Sequence, residues 1–355
     1  MNNNFNIKLN KNVKILHIAD LHQRHFGRLY YSSIKKINNG LIKNNYNVLQ
    51  ISDRDLLRGN IFNLKINSFL NHIYETVKNF KPDIILFGHV DSLSDENFYE
   101  LKMKFKNILF SQWFFDTLDP GFENYVQHKN RFFKKYQICD TNFITTDPNA
   151  LEFLDTTKTF FIPNVCDESI DVLDNYNYKN LEFDVFFALS HGQHRGVIKD
   201  EFIDERTEVI NFLDDTEIKT NFFGIKHQPI WGNEFFSQLS KSKMGINLSR
   251  GKKVKYYSSD RICSLMANGL LTFLQSGYYF EDFFKNESEA IYFDSKEDLK
   301  EKIIYFKKND NLRCKIAQNG KLKYFNEFNN VDTTKYIIDK ILGVDLKQHK
   351  KEWMK

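Results

Sequence analysis

Residues 257–284 read YSSDRICSLMANGLLTFLQSGYYFEDFF, and this stretch constrains the fold more than any other. A short helix is expected from about Ser259, stopped at Asn268-Gly269, because a glycine placed just past a helix end can take the left-handed conformation that closes it. An apolar strand follows over 270–274, then a turn at Gln275-Ser276-Gly277 and a second, aromatic-rich helix. Upstream, 243–250 (KMGINLSR) reads as another strand that ends in polar residues. Two strands with a helix between them, and polar groups gathered at one edge, describe the ligand crevice of a doubly wound sheet.

The same alternation runs through nearly the whole chain. Strands are expected at 14–19, 47–52, 83–87, 107–110 and 141–145, with helices at 31–44, 64–80, 96–106 and 124–136 between them. Around 159–178 the pattern pauses at a strand over 160–162, Pro163-Asn164 and a polar stretch, which reads as a linker. A second series then has strands at 183–189, 220–223, 244–248 and 290–293, and helices at 203–213, 234–240 and 297–308, the last capped by Ser295. Alternation of this kind implies an α/β fold with parallel sheets covered by helices on both faces. A length of 355 residues suits two such domains.

Composition narrows the class. With 41% apolar residues, 35 of them Phe and 17 Tyr, the chain can fill two cores, which excludes wholesale disorder. A net charge of only +4 gives no reason to expect a nucleic-acid partner. No apolar run is long enough to span a bilayer, and the first residues, MNNNFNIKLNKNVKIL, do not read as a signal peptide. Cys139, Cys166, Cys263 and Cys314 form no Cys-x-x-Cys pair, so a disulfide framework or zinc knuckle is not expected and a cytoplasmic setting fits.

The 257–284 segment resembles the donor-sugar half of glycosyltransferases of the GT-B fold, in particular the spore-protein-like (glycosyl transferases group 1-like) family, whose corresponding helix runs Asp-Arg-x-x-Glu-x-x-Ala-x-Gly. The resemblance is strongest over 183–327 and also takes in the Ile162-Pro163-Asn164 junction. It implies two Rossmann-like domains facing a cleft: an acceptor domain at 1–165, a nucleotide-sugar domain at 166–332, and a segment at 333–355 whose helix, 333–342, returns to the first domain. The activity implied is transfer of a sugar from a nucleotide-sugar donor to a glycan or lipid-linked acceptor, in cell-surface polysaccharide or glycoconjugate synthesis. No cofactor or metal is implied beyond the nucleotide-sugar co-substrate.

Holding a diphosphate needs backbone N–H groups, cations, or both. Ser249, Arg250, Lys255, Asp260 and Arg261 fall between one strand end and the next helix, and Asp260-Arg261 matches the family's Asp-Arg pair. Gly192, Arg195 and Arg206 follow the strand at 183–189, and Trp231 precedes a helix where the family carries an aromatic-Gly element. Where the family has Glu three residues after the Arg, this chain has Ser264, which can make one hydrogen bond to a ribose that a carboxylate would grip by two hydroxyls. On the acceptor side, Asp20 and His22 after the first strand, with Asp116, are candidates for the base that takes the acceptor proton, and His25, Gly27 and His89 for acceptor contacts.

Three other readings compete. ILHIADLHQRHFG also resembles the opening of calcineurin-like metallophosphoesterases, but the further His and Asn ligands of a two-metal site are missing, which leaves at most a degenerate member. Asp53-Arg54-Asp55 has the spacing of a metal-binding Asp-x-Asp, in a place that suits the start of a loop. A catalytically inactive GT-B protein serving as a binding partner is the alternative that Ser264 favours. Finally, the basic-aromatic stretch 125–136 (YVQHKNRFFKKY) and the tail KQHKKEWMK could give weak contact with an anionic membrane surface, against a plainer reading in which Phe132 and Tyr136 belong to the core.

Overall fold

The computed structural model describes residues 13–58, 66–121, 124–189, 205–225, 227–249, 251–345, 347, 349 and 351–354. Among these, six strands form a first parallel sheet: β1 (Lys14–Ile18), β2 (Asn47–Ile51), β3 (Ile84–Phe87), β4 (Leu109–Phe114), β5 (Thr141–Ile144) and β6 (Thr159–Phe161), in the order β2-β1-β3-β4-β5-β6. Helices α1 (Ser33–Lys43), α2 (Asp53–Arg58), α3 (Ile66–Phe80), α4 (Asp95–Lys104) and α5 (Tyr125–Tyr136) connect them. Period-two alternation sends Ile15, Ile84 and Leu86 to one face, and Leu16, Ile85 and Phe87 to the other. Both faces are therefore apolar and both are covered, as a parallel sheet requires.

The second sheet holds β7 (Phe183–Ala188), β8 (Thr220–Phe223), β9 (Ser242–Asn247), β10 (Leu271–Gln275) and β11 (Ile291–Phe293), in the order β11-β10-β9-β7-β8, again all parallel. Its helices are α6 (Glu205–Asp214), α7 (Asn233–Leu239), α8 (Arg261–Met266), α9 (Lys296–Lys308) and α10 (Asp310–Phe328). Gly269 closes α8 with φ +75°, as the sequence suggested, and a Cβ there would stand 2.7 Å from the Tyr176 ring. The chain then turns at Asn329 into α11 (Asn330–Leu342), which leaves the second domain and packs Tyr336, Ile337, Ile338 and Ile341 into the core of the first. Gly40 of α1 makes this approach possible, since a Cβ on it would run into the Asn330 carbonyl oxygen.

Some local expectations need adjusting. The aromatic-rich helix after the turn is only a single 3-10 turn, Phe280–Asp282. The strand expected at 107–110 begins later and runs on through Gln112, Trp113 and Phe114, all buried. The 19-residue α10 has no forecast counterpart: its buried residues share one face, but Arg313, Ala317 and Gly320 stand on that face while Leu312 and Leu322 are exposed, so apolar periodicity does not mark it. Asp53 and Asp55, the Asp-x-Asp pair, lie at the start of α2 and are occupied with loops. Asp53 accepts from Asp91 N and Ser92 Oγ at 3.1 Å, and Asp55 accepts from Gln23 N and Arg24 N at 2.9 and 3.0 Å.

At the junction a buried ammonium gathers three parts of the chain. Lys36 of α1 pairs with Asp171 of the linker, 2.7 Å to Oδ2 and 2.9 Å to Oδ1, and also donates to Cys263 Sγ of α8 at 3.2 Å. Burial disfavours the charge, but the facing carboxylate outweighs it and holds Lys36 above the ordinary lysine range. Asp171 also accepts from Asp167 N and from Asn268 Nδ2. Asp167 in turn receives Lys43, Asn39 and Asn330 at 2.7, 2.7 and 2.9 Å.

Two outcomes follow from these buried groups. Asp171→Asn leaves the Lys36 charge without its counter-ion and is expected to cost about 3–5 kcal/mol in denaturant unfolding, while Lys36→Met combined with Asp171→Asn, which removes the charge and keeps an acceptor at 171, recovers most of the loss. A single variant as stable as wild type would remove the pair from the junction's energetics. His17 is buried in the first core between Asn38 Oδ1 (3.4 Å) and the Trp113 indole N–H (3.2 Å), which donates to Nε2. Protonation would set two N–H groups against each other, and burial lowers the His17 pKa from 6.5 to about 4. The unfolded chain thus binds this proton first, so stability is whole above pH 6.5 and falls as pH drops toward 4, by about 3 kcal/mol in all. Denaturation midpoints across this window should fall less in His17→Gln than in wild type.

Candidate active site

Because both sheets are parallel, the loops that follow their strands collect at one edge of each. Contacts across the junction turn these edges toward one another. Tyr31 stacks on Phe235 with ring centres 5.0 Å apart, Tyr30 Oη donates to Asn233 Oδ1 at 3.2 Å, and Gly232 lies against Arg28. Farther along, Lys252 N donates to Asp119 Oδ2 at 2.7 Å and Asn164 Nδ2 to the Ser258 carbonyl at 2.8 Å.

On the first domain the edge carries a chain of alternating charges. Asp20, after β1, is held by both guanidinium nitrogens of Arg24, at 2.5 and 2.8 Å, and lies 3.4 Å from Arg54. Arg54 also pairs with Asp91, Asp91 with Arg131 at 3.1 Å, and Arg131 with Asp116 at 3.6 Å. Asp116 stands 3.6 Å from His89 Nδ1 and 4.0 Å from His128 Nε2. His89 lies flat on Phe114, ring centres 5.0 Å apart, and its burial, opposed by Asp116, lowers its pKa.

The sequence candidates separate within this chain. Asp20 is only 3% exposed; burial opposes its ionisation, but the Arg24 hydrogen bonds and the His22 contacts prevail and hold its carboxyl far below the usual range. Such a carboxylate is a weak base, and its place is to fix the loop. Asp116 is 34% exposed and its neighbours stand beyond hydrogen-bond length, so its oxygens remain open to a ligand. His22, with φ +60°, lies 3.3 Å from Asp20 and packs near His25, with ring centres 5.7 Å apart. Gly27 is exposed at φ +80°, next to Phe26, which is 94% exposed. The chain thus brings His89 and Asp116 together, and Asp20, His22 and His25 into a neighbouring group.

On the second domain several expected donor contacts are engaged within the protein. Arg261 donates through Nε to the Ala188 carbonyl (2.9 Å) and through a terminal nitrogen to the Leu248 carbonyl (2.6 Å), with its guanidinium over the Phe187 ring. It ties the ends of β7 and β9 together. Ser264 is buried and its hydroxyl donates to the Asp260 carbonyl at 3.3 Å, so the position where the family resemblance implies a ribose contact is turned into its own helix. Lys255 reaches Asp147 of the first domain at 3.1 Å and caps the Tyr256 ring, a bridge between domains in place of a phosphate contact. Ser249 is buried at the end of β9, Asp260 is exposed at the start of α8, Arg206 lies in the first turn of α6 and Trp231 is half-buried beside Gly232. Gly192, Arg195 and Arg250 lie outside the described residues.

The sequence did not single out His128 and Arg131 as partners of Asp116. They lie three apart on α5, a spacing that puts them on one helix face, while Phe132 and Tyr136 turn into the core. The sequence weighs this stretch only as a membrane-facing stripe or a core helix, because Asp116 lies off this helix, just after β4. Among the described residues no group of three His, Cys, Asp or Glu is arranged to hold a metal ion, and Asp20-x-His22 gathers no ligand set of the metallophosphoesterase kind.

Arg261→Ala should therefore do more than weaken a donor contact. It strips a charged donor from two strand-end carbonyls, and both fold stability and the nucleotide-sugar affinity that the resemblance implies should fall, the former by about 1–3 kcal/mol. Denaturation and calorimetry on one preparation check this; full stability with lost affinity would return Arg261 to a direct ligand role.

Comparison with known proteins matches this architecture. Residues 206–339 match the glycosyl transferase-like family. No curated protein sequence matches the chain. Among solved structures, an alpha-glucosyltransferase in complex with UDP and a 13-mer DNA containing an HMU base superposes with TM-score 0.65 at 13% identity, over 94% of this chain and 100% of that one. HepE of Anabaena in complex with UDP gives 0.57 at 10% identity over 94% and 100%. Sucrose-phosphate synthase of Thermosynechococcus elongatus gives 0.60 at 10% identity over 93% and 98%. Two parallel-sheet domains with facing strand ends and a helix that crosses back give this chain the GT-B fold, and its residues 206–339 match the glycosyl transferase-like family.

Proposed function

We propose that the protein moves a sugar from a uridine diphosphate donor, held by the second domain, to a glycan hydroxyl presented by the first. The observation that carries this reading is the open Asp116 carboxylate, flanked by His89, His128 and Arg131 on an edge that faces the donor-side loops. UDP is bound in the solved structures of HepE and of the alpha-glucosyltransferase, which supports the choice of base. In the proposed step the acceptor hydroxyl oxygen attacks the anomeric carbon. The bond from that carbon to the diphosphate oxygen breaks, Asp116 takes the hydroxyl proton, and UDP departs with the electron pair. Arg206 and the loop after β9 offset the charge on the leaving group, a task that cations and N–H groups perform without a metal.

The acceptor is proposed to be a glycan in surface-polysaccharide or glycoconjugate synthesis, free or lipid-linked. For membrane docking the α5 stripe offers little, since Phe132, Tyr136 and Lys135 are buried, and Trp353 of the tail donates to the Glu327 carbonyl at 3.0 Å. No helix among the described residues is long and apolar enough to cross a membrane. The inactive, binding-only reading draws on Ser264, whose hydroxyl is bonded inside its own helix.

UDP at a hundred times its Kd should stabilise the fold by about 2.7 kcal/mol, read as a rise in Tm. Asp116→Asn should leave UDP affinity unchanged and slow transfer or donor hydrolysis by about a hundredfold or more. Activity should survive EDTA. UDP binding with no turnover on any glycan would favour the inactive reading, and failure to bind UDP would sink the proposal.

A further inference from the structure

Beside the linker, away from the Asp116 cluster, lies a hollow of about 480 Å³ whose lining shares no residue with that cluster or with the ends of β7 and β9. It is built from both domains and from the returning C-terminal segment. Phe160 and Phe161 of β6, Tyr256 of the bridging loop, Phe283 and Trp353 provide its aromatic walls, and Lys340 of α11 provides a cation. Phe161 and Phe283 lie parallel at 5.9 Å, Tyr256 leans on Phe283 at 4.6 Å, and Trp353 stands edge-on to Phe161 at 6.1 Å.

The polar groups point to a ligand of particular chemistry. Lys340 Nζ sits over the Phe160 ring at 4.2 Å and has no hydrogen-bond or ion-pair partner among the described residues. Asp282 accepts from Tyr256 Oη at 2.5 Å through one oxygen and is half exposed; Lys255, at 3.1 Å from Asp147 and 4.0 Å from Asp282, balances both carboxylates. Asn149 and Thr156 line the hollow and are exposed. Tyr256 is held at φ +65°, a conformation a bulky residue adopts at a cost and one that gathers at ligand sites. Carboxylates in the wall disfavour a phosphate, and the many polar groups disfavour an acyl chain. Flat ring faces beside hydroxyl-binding groups suit a neutral sugar, whose C–H faces lie on aromatic rings while its hydroxyls reach the polar groups. The volume lies within the range of about 300–1,000 Å³ usual for small-ligand pockets.

We propose that this hollow is a carbohydrate-binding site, taking one or two residues of a neutral glycan separately from the transfer cleft. A glycan held here is tethered to the enzyme whether or not its end occupies the cleft. The proposal goes beyond the donor reading and is tested apart from it. Saturation-transfer NMR and tryptophan fluorescence are recorded with maltotriose, cellotriose, laminaritriose and chitotriose as probes, and UDP affinity is measured on the same samples. At least one trisaccharide should bind wild type and persist in the presence of saturating UDP. Lys340→Ala combined with Asp282→Ala should weaken it by about tenfold or more, as expected for loss of charge-assisted hydrogen bonds, with UDP affinity intact. Thr156→Arg, an exposed change that fills the mouth without touching the core, should block it too. Absence of binding by all four probes, binding indifferent to both variants, or displacement by UDP would overturn the site. Trisaccharide binding without UDP binding would sink the donor reading and leave this one standing.

Discussion

One ammonium group sets how the two halves of this protein meet. Lys36 leaves α1, enters the junction and finds Asp171 and Cys263, one from the linker and one from α8. An unpaired buried charge costs several kcal/mol, so arrangements in which α1, linker and α8 separate without water reaching Lys36 are disfavoured. Around it Asp167 collects Lys43, Asn39 and Asn330, so the same few ångströms also fix the start of α11. The cleft is a consequence. Tyr31 can stack on Phe235, and Asp119 can accept from Lys252, because the junction holds the two strand-end edges in register.

What the sequence disclosed follows from which forces are local. Strands such as IILF, buried on both faces, and helices with one apolar face are written in short-range periodicity, so the alternation was legible. So was Gly269, since a helix end is a local event. By contrast α10 was invisible, because the face it buries carries Arg313, Ala317 and Gly320 while Leu312 and Leu322 lie in solvent, so hydrophobicity does not follow burial along it.

The site was harder to read for a related reason. Residue type alone put Asp20 and Asp116 on equal terms, and Arg261 beside phosphate. Their difference is made by partners distant in sequence or by geometry: Arg24 and Arg54 close around Asp20, while Arg131 and two histidines stand off from Asp116. For Arg261 the deciding partners are carbonyls of Ala188 and Leu248, and backbone acceptors carry no mark in a sequence. The family resemblance could not say which side chains in its loops are engaged within the fold, as Arg261 and Ser264 are.

The crossing of α11 has a consequence for how this molecule comes into being. Tyr336, Ile337, Ile338 and Ile341, with Met354, fill one face of a sheet whose first strand begins at Lys14. During synthesis α1 covers part of that face early, through Ile34, Ile37 and Leu41, but the rest waits until more than three hundred residues later have emerged, so the domain made first is finished last. The second domain must meanwhile fold with its neighbour's apolar surface beside it. The first half is thus closed by a strap from the second, and a break at α11 opens the half to which it does not belong.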